Sequence, residues 1–188
     1  MALEENTMTT AMLKAMSNPL RREILAALNR YEYARAADLA EDLEVPANKL
    51  SFHLRVLAEA GLIEEAPEHA RDRRDRVWTT VSGSQSLGSP THPVEDEALG
   101  LSLLHVLAEE HRRVLDRLVA WAPEYVAGRD SDIHGTFTKS SVSLTPDQFT
   151  ELLDKFTELI NEMSEAGDKS DPARRLWQID LVAADDQI

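Results

Sequence analysis

Asn48, Lys49, Ser51, Phe52, His53 and Arg55 fall inside one twelve-residue window, Pro46 to Leu57, that contains no acidic residue. Their chemistry suits the edges and backbone of a nucleic acid. An Asn amide can pair with adenine, a Lys ammonium with guanine O6/N7 or phosphate, and Ser or His with either base edges or phosphate. Arg55, further along, is better placed for phosphate, and Ala47 and Phe52 complete the expected outward set. A second basic group, Arg71, Arg73, Arg74 and Arg76, is partly offset by Asp72 and Asp75. Guanidinium forks suit phosphates or a narrow minor groove. The plainer alternative for this group is a solvated turn with internal ion pairs. Arg21 or Arg22 is a further, less favoured candidate for phosphate.

Such side chains act only if a scaffold holds them. Leu50, Leu54 and Leu57 step by three and four and would dock a helix that starts after Pro46 and stops at Gly61, with the apolar Leu62 next. Ahead of it, Leu39 and Leu43 mark a helix in residues 36–44, which must end before Pro46 because the residue preceding a proline is pushed out of the helical region. Asn18-Pro19 is an N-cap followed by Pro at the first helical position, and Leu20, Ile24, Leu25 and Leu28 share the face that follows. A short helix over residues 9–16 precedes it. Downstream, Leu62-Ile63 and the run Val77 to Val81 predict two strands flanking a charged turn. The order is helix, helix, helix, hairpin.

The remaining chemistry is thin. His105 and Glu109 are spaced i,i+4, but His111 lies outside that pair, and the absence of cysteine removes disulfides, thiolate metal sites and cysteine nucleophiles together. No metal or other cofactor is expected. Ser, His and Asp are scattered with no nucleophile elbow, and the 7 glycines form no phosphate-binding loop, so no enzyme is expected.

At 188 residues the chain has room for one ordinary domain or two small ones, and with 43% hydrophobic but only 5% aromatic residues its core must be mainly aliphatic. The net charge of −14 argues against general affinity for polyanions. That charge is uneven: residues 1–83 hold 11 basic against 14 acidic side chains, and residues 84–188 hold 9 against 20. The acid-free window therefore stands as a local basic face. No apolar run is long enough for a membrane span and the first ten residues do not read as an export signal, so the expectation is a soluble cytoplasmic protein with no membrane partner. The stretch 82–93, rich in Ser, Gly and Pro, reads as a linker. The expected division is 1–83, a linker at 84–93, and 94–188.

Beyond the linker, residues 94–126 predict one long helix in which Leu104, Leu107, His111, Val114, Leu118, Trp121 and Tyr125 step by three and four. That seam fits a dimer coiled coil, or the stripe by which the helix packs on its own domain. Dimerisation is the expectation, because so long a helix in so small a protein has little internal surface to cover. Thr145-Pro146-Asp147-Gln148 is a capping box opening a helix to Ala166, with Phe149, Leu152, Leu153, Phe156, Leu159, Ile160 and Met163 at helical spacing. Residues 137–144 and 176–182 look like strands, the second with Trp177, Ile179 and Leu181 alternating against Gln178 and Asp180, which predicts a small strand-helix-strand unit.

The segment AADLAEDLEVPANKLSFHLRVLAEAGLI, Ala36 to Ile63, resembles the helix-turn-helix of the ArsR-like winged-helix transcription regulators. Its S-x-H-L-x-V-L helix and AGLI exit recur there as a unit, and N-P-x-R-x-x-I-L, from Asn18 to Leu25, resembles the entry helix. The likeness covers about residues 13–81. The helix after Leu144-Thr145-Pro146, with its terminal strand, also resembles the C-terminal appendage of an actinobacterial-type branch of such regulators. The resemblance implies a mainly α, α+β winged helix-turn-helix and a homodimer on double-stranded DNA, acting as a repressor at an inverted repeat. It also allows a small-molecule effector near Leu118 to Tyr125, with Trp121, Tyr125, Trp177 and Phe137 as candidate lining residues. Many such regulators sense metals through cysteines or a D-x-H…H-x2-H/E array, and this sequence departs from both patterns. The rival expectation is a winged-helix interaction module whose acidic C-terminal part binds another protein.

Overall fold

The computed structural model describes residues 7–70, 76–81, 86–166, 171 and 173–188. Helix α1 (Thr10–Met16) starts where the Thr9 hydroxyl accepts from the Met12 N–H, and α2 (Pro19–Tyr31) where the Asn18 side chain accepts from the Arg21 N–H. The C-terminal carbonyls of α1 are taken up by side chains of α2. Arg21 donates to Ala15 O and Lys14 O at 2.6 and 2.7 Å, and Arg22 donates to Met16 O at 2.7 Å. Two guanidinium charges thus sit against the negative end of a helix, where a cation is favoured.

The chain reverses at Glu32, in the left-handed region at φ 63°, into strand β1 (Tyr33–Arg35). Helix α3 (Ala36–Asp42) and helix α4 (Ala47–Glu59) follow. The turn between them closes by a Schellman arrangement, with Val45 N–H to Ala40 O at 2.9 Å and Glu44 N–H to Glu41 O at 3.2 Å, and Glu44 takes φ 53°. Helix α4 ends the same way, with Gly61 at φ 73° supplying the left-handed residue and Leu62 N–H reaching Leu57 O at 3.0 Å. Strands β2 (Ile63–Glu65) and β3 (Val77–Thr80) then form the hairpin, with a 3-10 turn over Pro67–His69 between them.

The sheet is antiparallel in the order β1-β3-β2, with Ala34 opposite Trp78 and Glu65 also opposite Trp78. The first strand was not expected, since Tyr-Ala-Arg is too short to show alternation. Leu28, Leu39, Leu50, Leu54, Leu57 and Ile24 fill the core, each at most 1% exposed. This is an α+β winged helix-turn-helix.

The segment expected as a linker is anchored where it is described: Met8 N–H donates to Ser86 O at 2.8 Å and the Thr7 hydroxyl to His92 O at 3.3 Å. Helix α5 (Glu97–Val126) follows, and α6 (Pro146–Glu165) opens with the expected capping box, Gln148 N–H to Thr145 Oγ1 at 3.3 Å and Thr145 N–H to Gln148 Oε1 at 3.0 Å. The chain divides into two compact units, Met1–Glu109 and Glu110–Ile188, so the first turns of α5, with buried Gly100 and Leu103, go with the first unit.

The strands expected at 137–144 and 176–182 do not form. Neither stretch pairs in a ladder, and Trp177, Ile179 and Leu181 are each about half exposed, so the alternation selects no buried face. A strand needs a partner edge as well as a pattern.

Candidate nucleic-acid interface

Helix α4 turns Leu50, His53, Leu54 and Leu57 into the core. At 3.6 residues per turn the opposite meridian carries Asn48, Phe52 and Arg55, within about 60° of one another, with Ser51 beside them. All four are exposed, as are Ala47 and Lys49. Lys49 lies toward the flank of this face rather than on its crest. The crest runs out at Glu59, whose exposed carboxylate limits the surface suited to a polyanion to the first turns of the helix.

His53 belongs elsewhere than expected. It is 7% exposed, because it follows Leu50 by three and precedes Leu57 by four, and so shares the face that docks on the scaffold. Burial first, then the positive charges of Arg21 and Lys49, hold its imidazole below the usual value, so the ring is neutral at pH 7. Its Nδ1 has no hydrogen-bond partner among the described residues. His53 supports the outward face from behind.

The hydrogen bonds of the outward residues set what each can offer. Asn48 Oδ1 accepts from the Lys49 N–H at 2.8 Å, which leaves its amide NH2 as the outward donor. The Ser51 hydroxyl donates to Ala47 O at 2.8 Å and keeps lone pairs for an incoming donor. The Arg55 guanidinium lies 5.8 Å from the centre of the Phe52 ring.

At the wing, Arg76 approaches Glu65 with 3.6 Å between Nε and Oε1. Arg71, Arg73 and Arg74 lie outside the described residues. The base of the wing is fastened by Tyr33 of β1 stacked on His69 of the 3-10 turn, ring centres 3.8 Å apart and planes 10° from parallel. Sequence reasoning missed this pair, which joins residues 36 positions apart with no motif linking them. The same is true of Arg21 and Arg22, whose guanidinium groups bond the α1 backbone.

Along α5, Leu107, His111, Val114, Leu118 and Trp121 are half-buried, while Leu104 and Tyr125 are exposed. His111 Nδ1 lies 3.5 Å from an Asp180 carboxylate oxygen, and Trp121 Nε1 donates to Asp130 at 2.9 Å. Exposed apolar residues continue along the helix at Leu101, Leu115, Val119 and Val126. Of the other aromatics considered for an effector cavity, Phe137 and Trp177 are exposed. No cluster of three His, Asp or Glu side chains suited to a metal occurs among the described residues, and no helix there is long and apolar enough to cross a membrane.

A reading helix on a three-helix scaffold, backed by a small sheet and followed by a wing, defines the class of winged helix-turn-helix DNA-binding domains. The sequence of residues 16–66 matches the family described as helix-turn-helix domain. Residues 16–66 are therefore similar to helix-turn-helix domains, over the part of the chain that carries α2, β1, α3 and α4. No curated protein matches the chain. Among solved structures, HlyU from Vibrio cholerae is similar at 29% identity, covering 38% of this chain and 73% of that one with a TM-score of 0.34. NolR from Sinorhizobium fredii is similar at 23% identity, covering 53% and 79% with a TM-score of 0.34. A ZitR variant from Lactococcus lactis in apo form is similar at 19% identity, covering 81% and 84%, also with a TM-score of 0.34. At these TM-scores the assignment rests on the sequence match and on the geometry of the chain itself.

Proposed function

We propose that the protein is a homodimeric, sequence-specific DNA-binding transcription regulator of cytoplasmic location. It acts as a repressor at an inverted repeat whose half-sites lie about one helical turn apart. The observation that carries the reading is the crest of α4 ahead of Glu59: an acid-free outward face with Asn48, Ser51 and Arg55 on a fixed apolar dock. Asn48 faces the groove floor, Lys49 meets phosphate from the flank, Arg55 meets phosphate further along the helix, and the wing arginines Arg71, Arg73, Arg74 and Arg76 track the backbone. Residues 1–83 form the DNA-binding part, 84–93 the connection, and 94–188 the part that dimerises and receives any effector.

Dimerisation is supported by the exposed apolar residues of α5, which a partner helix would cover. An effector would act by binding two dimer states unequally, since equal affinity shifts nothing. The second reading, an interaction module, is favoured by the exposed apolar residues between Phe137 and Val182 in an acidic part of the chain. A gel shift on the protein's own promoter region beside random duplex separates the two, with sedimentation reporting the oligomer. Preference for the promoter by a dimer is expected. A micromolar monomer that treats every duplex alike sinks the regulator reading.

A further inference from the structure

We propose that Phe52 reads the C5-methyl group of a thymine in each half-site, and that this contact, not hydrogen bonding alone, sets the sequence preference of the protein. The inference rests on the reading of α4 as the groove-facing helix. Phe52 sits on the crest of that helix between Asn48 and Arg55, and half of its surface is open to solvent. It contributes little to the core, and the residues around it on the crest are polar.

The ring is also held. Its inner side meets His53 edge-on, centres 5.4 Å apart and planes at 76°, and His53 is packed into the core. Arg55 approaches it from the next turn. A ring fixed between a buried neighbour and a guanidinium presents one apolar surface outward at low conformational cost.

The floor of the major groove offers such a surface one apolar group, the thymine methyl. Against cytosine N4 or guanine O6 the ring would displace water without replacing its hydrogen bonds, so those bases are rejected. Attraction to the methyl and desolvation of its competitors work in the same direction. The neighbouring Asn48 donor then reads an adjoining base pair, and the Arg55 guanidinium meets phosphate.

The test begins with duplexes selected from a random library by the full-length protein, each then rebuilt with deoxyuridine in place of thymidine. The expected result is a fixed thymine in every half-site, and about fourfold weaker binding for each methyl removed at that position. Phe52→Ala should bind the thymine and uracil duplexes alike, and Phe52→Leu should retain part of the preference. Selected sites without a fixed thymine, or equal binding of both duplexes by the unmodified protein, overturn the proposal. A uracil penalty that persists in full in Phe52→Ala also overturns it. If no sequence is selected at all, the regulator reading itself fails, which is a separate and recognisable result.

Discussion

The two compact units obey the same helical periodicity and use it differently. In Met1–Glu109 the apolar positions of α2, α3 and α4 meet one another, and Ile24, Leu28, Leu39, Leu50 and Leu57 are withdrawn from solvent completely. In Glu110–Ile188 no described residue is fully buried, and α6 leaves Leu159 at 54% and Met163 at 65% exposure despite a capping box and a regular apolar stripe. A repeating apolar pattern establishes that a helix has a face; it does not supply what covers it. The first unit completes its own core. The second holds the later turns of α5 and the whole of α6, and leaves apolar residues of both exposed.

The sharpest way to break this contrast is a matched pair of truncations. Leu57→Ala should cost about 2–5 kcal/mol of unfolding free energy, because a cavity opens in a closed core. Leu159→Ala should stay within about 0.5 kcal/mol in dilute protein. Equal losses in chemical denaturation would mean that the second unit has a core of its own. Next in size is the loss on DNA. Asn48→Ala should cost roughly 1–3 kcal/mol on the selected operator and relax its base preference. Arg73→Ala and Arg74→Ala should weaken all duplexes and flatten the salt dependence by about one unit each. Equal loss from Asn48→Ala on specific and random duplex would move it to phosphate. In the second unit Thr145→Ala should remove about 1 kcal/mol from the first turn of α6, read by amide exchange, with the first unit unchanged.

The smallest expected effect concerns acid. His53 has its folded pKa below its unfolded value, so the unfolded chain binds the extra proton. The first unit should therefore lose stability as pH falls through about 6.5 and regain it above. His53→Leu should reduce that slope in thermal melts between pH 7.5 and 5.5. An unchanged slope would put the titration elsewhere.

Most of the first unit was legible because its signals are local. Thr9, Asn18-Pro19, Val45-Pro46 and Gly61 punctuate helices within a turn of where they stand in the structure. His53 was legible and misread: it lies in the acid-free window with the outward residues, yet its spacing from Leu50 and Leu57 places it inward. The tie between Arg21, Arg22 and α1, and the stack of Tyr33 on His69, depend on how separate segments meet, which no local pattern encodes. The strands expected at 137–144 and 176–182 failed for the same reason, since pairing is a property of two edges and alternation describes only one.

The placement of the arginines in the first unit also governs how such a protein meets its target. Arg21 and Arg22 point at the α1 backbone, Arg30 lies 3.7 Å from Asp42, and Arg35 is paired with Asp38. What a distant duplex senses is therefore the overall charge of −14, and approach is opposed until the α4 crest comes within roughly a Debye length, about 8–10 Å at physiological salt. Encounter should be slow and diffusive instead of steered, so moderate salt, by screening the far field, should quicken association even as it loosens the bound complex. On the proposed function, such a protein should spend little time on arbitrary DNA, and residence time at the right site should carry its occupancy.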